Sequence, residues 1–258
     1  MWTEWIAIAG AGVWAGMINV IVGSGTLVTF PVLLLLGYPP LAANVSNSIG
    51  LLGGNLSGTF GYRRELGANP PLLRRLLPAS IAGGLTGAVL LLALPAEAFT
   101  AIVPALVVLG LIMVVAGPAV QRRAARRHAG ELSTNATARR TAAVTAATFA
   151  VGIYGGYFGA AQGILLVGML GILTAESLQS INAMKNLLVT GVNGIAAVVF
   201  VVVAWDSIDW IVVALIALGS AAGGVLGARF GRRLSPAALR AIIVAVGTAA
   251  VVNMVFFS

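Results

Sequence analysis

Ser177-Leu-Gln-Ser-Ile-Asn-Ala-Met-Lys-Asn-Leu-Leu-Val-Thr-Gly-Val-Asn-Gly194 places the chain's only lysine, Lys185, in a stretch that runs on apolar to Ala204. The other fourteen cationic residues are arginines, all at or near the ends of apolar segments. A charge inside a bilayer costs about 2.5–3.5 kcal/mol on insertion scales, so by default it marks a functional position. Asn182, Lys185, Asn186, Val189 and Asn193 recur at helical spacing and share one face. A cation among amide donors suits an anion.

Composition sets the class around this stretch. The chain has 258 residues, 59% hydrophobic and 9% charged, where a soluble domain carries about 25% charged residues. Runs such as Leu76–Leu94, Ala98–Pro118 and Ile211–Ala228 reach the roughly 20 residues that a span requires. The chain reads as an all-α polytopic membrane protein with no large soluble domain. It has no Cys, which excludes disulfides and thiolate metal sites. Met1-Trp-Thr-Glu-Trp5 lacks a basic n-region, which argues against a cleaved signal peptide.

The net charge of +8 lies in three clusters beside spans: Arg63, Arg64, Arg74 and Arg75; Arg122, Arg123, Arg126, Arg127, Arg139 and Arg140; Arg229, Arg232, Arg233 and Arg240. That is a topogenic pattern, with basic loops cytoplasmic, rather than a nucleic-acid surface. Contact with anionic membrane lipids follows from the same residues. His128, among arginines in the middle loop, reads as solvated.

The two halves resemble each other. Ala82-Gly-Gly-Leu-Thr-Gly-Ala88 matches Ala222-Gly-Gly-Val-Leu-Gly-Ala228, and Asn44, Asn47, Ser48 and Asn55 match Asn182, Lys185, Asn186 and Asn193. This divides the chain into a first transmembrane repeat at 1–120, a basic cytoplasmic loop at 121–140 and a second repeat at 141–258. Each half opens on a long apolar stretch broken by small residues, at Gly23-Ser24-Gly25 and at Gly159-Ala-Ala-Gln-Gly163. A tight connection, a polar-striped span and two ordinary spans follow, giving about 8–10 helical segments. Thr26–Leu36 would extend about 16 Å against a core of about 30 Å, so the glycine breaks predict half-helices or re-entrant hairpins. An odd number of crossings per half puts every arginine cluster on one side. The halves are then inverted, with both termini outside near Glu4, Glu97, Asp206, Asp209 and four of the five Trp.

The facing stripes and the two breaks form the predicted site. Lys185 would neutralise an anion; Asn44, Ser46, Asn47, Asn182 and Asn193 would donate to it. Ser24-Gly25 and Gln162-Gly163 would open half-helices whose N-termini favour negative charge. Plainer roles stand beside these. Asn55 and Asn193 read equally as interhelical glue. Gly83, Gly84, Gly87, Gly223, Gly224 and Gly227 read as packing faces. Lys185 could instead snorkel or pair with Glu176, itself a gate, a proton carrier or a loop residue. There is no P-loop, intramembrane His, paired intramembrane carboxylates or zinc motif, so neither an enzyme nor a cofactor or metal is expected.

These residues resemble the TauE/SafE sulfite-exporter family of bacterial, archaeal and plant permeases. The resemblance covers nearly the whole chain. Its strongest part is Gly23-Ser-Gly-Thr-Leu-Val-Thr-Phe-Pro-Val-Leu-Leu-Leu-Leu-Gly37 with Pro39-Pro-Leu-Ala-Ala-Asn-Val-Ser46. Gln162-Gly163, Lys185 and Asp209-Trp210 fit the second-half pattern. Asn44-Val45-Ser46 and Asn182-Ala183-Met184 depart from the usual Ala-Thr-Ser, and Met169 and Ala160-Ala161-Gln162 depart from a usual Pro and glycines. The resemblance implies export of sulfite, thiosulfate or an organosulfonate; the residues alone imply a small anion. The expectation is an inner-membrane permease working by alternating access. A passive anion channel or a non-transporting membrane subunit is the alternative. A homodimer is compatible with the sequence.

Overall fold

The computed structural model describes residues 2–127, 137–230 and 236–256. Among them are ten α-helices and no strand. In chain order they are α1 (Trp2–Ile21), α2 (Thr26–Leu35), α3 (Pro40–Gly61), α4 (Pro70–Ala93) and α5 (Ala96–Arg127). Then come α6 (Thr137–Tyr157), α7 (Gln162–Leu173), α8 (Leu178–Val203), α9 (Trp210–Phe230) and α10 (Pro236–Phe256). His128, Arg232 and Arg233 lie outside the described residues. The segment read as a basic loop is partly helix: α5 continues through Gln121–Arg127. Gln, Ala and Arg are strong helix formers, and a helix leaving a membrane needs no apolar face.

Six helices are long and apolar enough to cross a membrane: α1, α4, the Ala96–Ala119 part of α5, α8, α9 and α10. Their outward faces are apolar, as at Ile112, Val115, Val202 and Leu218. Such a surface is stable against lipid rather than water. Local signals set the ends. Asn69, Ser177 and Asp209 accept backbone N–H bonds at the starts of α4, α8 and α9. At the end of α2, Gly37 takes φ +87° while Tyr38 N–H bonds to Leu33 O, a Schellman closure. Threonines inside spans bond to the carbonyl four residues back, as Thr148 does to Val144 and Thr190 to Asn186, so their hydroxyls are not left unpaired.

Six of the helices sort into two triads, each of helices running parallel. In one, α1 and α3 pack along α9. Gly16 meets Ser220 and Gly223 meets Val13, while Gly50 meets Ile216 and Gly61 meets Ala228. In the other, α6 and α8 pack along α4, with Gly83 against Phe149, Gly87 against Ile153 and Gly84 against Val192. A methyl group at Gly16 would lie 2.1 Å from Ser220 O, and one at Gly83 2.2 Å from Phe149 O, so these seams need bare backbone. A serine on the shared helix of each triad adds a hydrogen bond to one of these seams. Ser220 Oγ donates to Gly50 O at 3.1 Å, and Ser80 Oγ donates to Leu188 O at 3.3 Å. The short 62–69 connection joins α3 of one triad to α4 of the other. The short helices α2 and α7 fill the space between, covered by α10 and α5 respectively.

Charge separates with direction. Arg63, Arg64, Arg74, Arg75, Arg140 and Arg229 sit at one end of the bundle. The other end carries Glu4, Asp206 and Asp209, the edge-to-face pair Trp2–Trp5 and the tilted pair Trp205–Trp210. There, burial and then the carboxylates of Asp209 and Glu4 push the Tyr38 phenol above its ordinary pKa.

Candidate functional site

The site begins where α1 stops. Val22 N–H and Gly23 N–H both bond to Ile18 O, at 2.7 and 2.9 Å, and Gly23 takes φ +89°. That closure leaves the last carbonyls of α1 without backbone donors. Lys185 supplies them: its Nζ donates to Val20 O at 2.9 Å and to Asn19 O at 3.2 Å. The lysine is 1% exposed, and no carboxylate pairs with it among the described residues. It sits seven residues, about 10 Å, from the start of α8. Glu176 is not its counter-ion. That carboxylate lies at the arginine end and accepts from Asn69 Nδ2 and Ser180 Oγ, both at 2.8 Å.

The end of α6 is built the same way. Phe158 and Gly159 N–H both bond to Tyr154 O at 3.0 Å, and Gly159 takes φ +77°. Here Asn44 Nδ2 donates to Tyr157 O at 3.0 Å. The two breaks touch backbone to backbone, with Gly163 N–H donating to Gly23 O at 3.0 Å. Gly163, at the start of α7, therefore spends its amide on the other break in this conformation, and Gly25 N–H is held by Asn19 Oδ1 at 3.3 Å. Ala161, fully buried just before α7, has φ +59°, a left-handed conformation that costs a non-glycine residue about 1–2 kcal/mol.

Around these contacts lies a shell of buried polar groups. Asn19 Nδ2 donates to Asn55 Oδ1, and Thr29 Oγ1 donates to Asn47 Oδ1. Ser24 Oγ, Asn47 Nδ2, Asn55 Nδ2, Asn186 Nδ2, and Gln162 Nε2 and Oε1 are buried without a hydrogen-bond partner, as is Asn44 Oδ1. An unmet buried group costs about 1–3 kcal/mol, and among these atoms amide N–H donors outnumber acceptors.

Not every predicted residue joins this shell. Ser46 is buried, but its Oγ accepts from Asp209 N–H at 2.9 Å and ties α3 to the start of α9. Asn182 is half-buried, and Asn193 is buried on α8 eight residues beyond Lys185; neither forms a described hydrogen bond to the others. Asn19 and Thr29 were not foreseen. Asn19 had a signal, being the one amide in the apolar run Ile6–Val22. No group of three or more His, Cys, Asp or Glu side chains could hold a metal ion among the described residues.

The chain is 26% identical over 245 residues to the "Probable membrane transporter protein ORF9" of Sinorhizobium sp, covering 93% of this chain and 88% of that protein. No solved structure matches. Residues 8–254 match the family described as Sulfite exporter TauE/SafE. With nearly all of its length inside that match, this multi-pass membrane protein belongs to the TauE/SafE sulfite exporter family.

Proposed function

We propose that the protein exports a small sulfur-containing anion — sulfite, thiosulfate or an organosulfonate — by alternating access, binding it between two inverted repeats. One observation carries the reading: a fully buried lysine, unpaired by any carboxylate among the described residues, bonds to Asn19 O, and Asn19 also holds Asn55, one of several buried amides with an unpartnered N–H donor. In this reading Lys185 neutralises the anion. Asn44, Asn47, Asn182 and Asn193 donate to it, and Ser46 holds the neighbouring turn of α3. Ser24-Gly25 and Gln162-Gly163 supply the half-helix N-termini once their present partners are released.

Several pairings support the inverted repeats. Ser80 on Leu188 O corresponds to Ser220 on Gly50 O, and Gly83 on Phe149 O to Gly223 on Val13 O. Each triad corresponds helix for helix to the other, α1 to α6, α3 to α8 and α9 to α4, and the two run in opposite directions. Direct contact between the two breaks favours a gated carrier over an open channel. The charge asymmetry supports cytoplasmic arginine loops, with both termini outside the cell membrane. A cleft of about 800 Å³ at the arginine end offers Arg74 and Arg75 above Pro78, Ala146 and Phe149, which suits an anionic lipid headgroup and its chain.

The test is uptake and binding in proteoliposomes with sulfite, thiosulfate, sulfate, sulfoacetate, taurine and chloride, for wild type and Lys185→Met. A saturable, concentrative flux of a sulfur anion that Lys185→Met abolishes is expected. Flux and affinity unchanged in the variant would remove Lys185 from the site. Flux that neither saturates nor concentrates would make the protein a channel.

A further inference from the structure

The carbonyl oxygens of Asn19 and Val20 form an acceptor pair at the C-terminal, negative end of α1. Both closing N–H groups of the break go to Ile18 O, so neither oxygen has a backbone donor from the turn that follows. In transporters with broken helices, such freed carbonyls at helix C-terminal ends are where a coupling cation is held. Here the position is filled from within the chain. Lys185 Nζ lies 2.9 and 3.2 Å from the two oxygens, on a side chain 1% exposed.

We propose that the end of α1 is a monovalent-cation position whose resident ion is the Lys185 ammonium, and that the native protein therefore binds no free sodium or potassium there. Three features support this. An ammonium has three donors, and these carbonyls take two, leaving one for a ligand on the other side. Asn19 joins the position to the donor shell: its carbonyl holds Lys185, its amide holds Asn55, and its Oδ1 holds the Gly25 amide at the start of α2. The matching end of α6 is capped at Tyr157 O by the neutral Asn44, so the cationic device is built at one break and not at the other. An anion drawing on Lys185 would thereby loosen the α1 end and the α2 start together, coupling occupancy to the α1–α2 break without a free ion. The inference rests on the α1–α8 geometry and not on the identity of the transported anion.

Removing the ammonium should expose the position to a free cation. The experiment measures thermal stability of purified wild type, Lys185→Ala and Lys185→Met in choline, sodium, potassium, ammonium and methylammonium chloride at equal ionic strength, with no substrate present. A bound ion raises the melting temperature of the native state alone. Expected is a rise of at least about 3 °C for Lys185→Ala in one small cation over choline, a smaller rise for Lys185→Met, whose stem still fills the space, and no cation preference in wild type. Equal melting of Lys185→Ala in every salt would overturn the proposal. So would a wild type that responds as the variant does, because the ion would then bind elsewhere. If neither variant can be purified folded in any of the five salts, the vacated carbonyls have not accepted a free ion and the proposal fails. An anion panel on wild type is a separate measurement, so this result and the transport reading can fail independently.

Discussion

Gly23→Ala tests the meeting of the two breaks. A methyl group at Gly23 would stand 2.6 Å from Gly163 Cα and 2.9 Å from its carbonyl carbon. Both are backbone atoms, so no side chain can swing away. Overpacking of this kind costs about 1–3 kcal/mol. Gly23 also has φ +89°, where a side chain adds about 1–2 kcal/mol. The total, about 2–5 kcal/mol, corresponds to a fall in melting temperature on the order of 4–20 °C for a chain of this size. Gly163→Ala lacks the φ penalty but would place its methyl 2.5 Å from Gly23 Cα, so a fall near the lower end of that range is expected. The control is Gly194→Ala. That helical glycine has nothing within 4 Å of the added atom, and alanine there should be neutral or stabilising by up to about 1 kcal/mol. The assay is thermal unfolding of the detergent-purified variants, followed by size exclusion. Unchanged melting for both Gly23→Ala and Gly163→Ala would refute direct backbone contact between the breaks.

Other expectations follow from single contacts. Lys185→Met should weaken anion binding about 10–100-fold, the equivalent of one charge-assisted hydrogen bond, as read by titration calorimetry. Ser220→Ala should destabilise more than Ser80→Ala, because Ser220 Oγ also accepts from Gly54 N–H at 3.0 Å; each loss is about 0.5–1.5 kcal/mol by thermal unfolding. Asp209→Ala removes the acceptor for Ile211 and Val212 N–H and should lower stability by about 1 kcal/mol in the same assay. Arg74→Gln with Arg75→Gln should erase any preferential stabilisation by anionic over zwitterionic lipid, measured as a lipid-dependent melting shift.

Much of the fold was legible because its breaks need particular residues. Gly23 and Gly159 mark the helix ends, both with positive φ, and α2 and α7 are as short as their apolar runs. On α3 and α8 the residues Asn44, Asn47, Asn55, Lys185, Asn186 and Asn193 are buried, while Ser48 and Asn182 are half-buried. The end of α5 was less legible, since arginine reads as a loop in a hydropathy pattern but favours helix by propensity. The hydrogen-bond partners of the candidate residues were not legible. Lys185 pairs with the backbone of residues 165 and 166 positions away, and a carbonyl oxygen carries no sequence signature. The same holds for Asn44 on Tyr157 O and for the Gly163–Gly23 contact. Ser46 shares a helix with Asn44 and Asn47, yet it lies about 100° around the helix from Asn47 and about 160° from Asn44, which delivers its Oγ to Asp209.

The glycine seams set an order for assembly. Gly16 waits for Ser220, 204 residues downstream. At roughly 5–20 residues per second, the first helix spends about 10–40 s in the membrane before its closest neighbour is made. Throughout that interval its small-residue face is filled by lipid or by whatever else the bilayer offers. The opposite triad waits less, because Gly83 meets Phe149 only 66 residues downstream. A ribosome that stalls before α9 leaves a nascent chain with a bare seam on its oldest helix. Membrane quality control could recognise such a chain as unfinished by that seam alone.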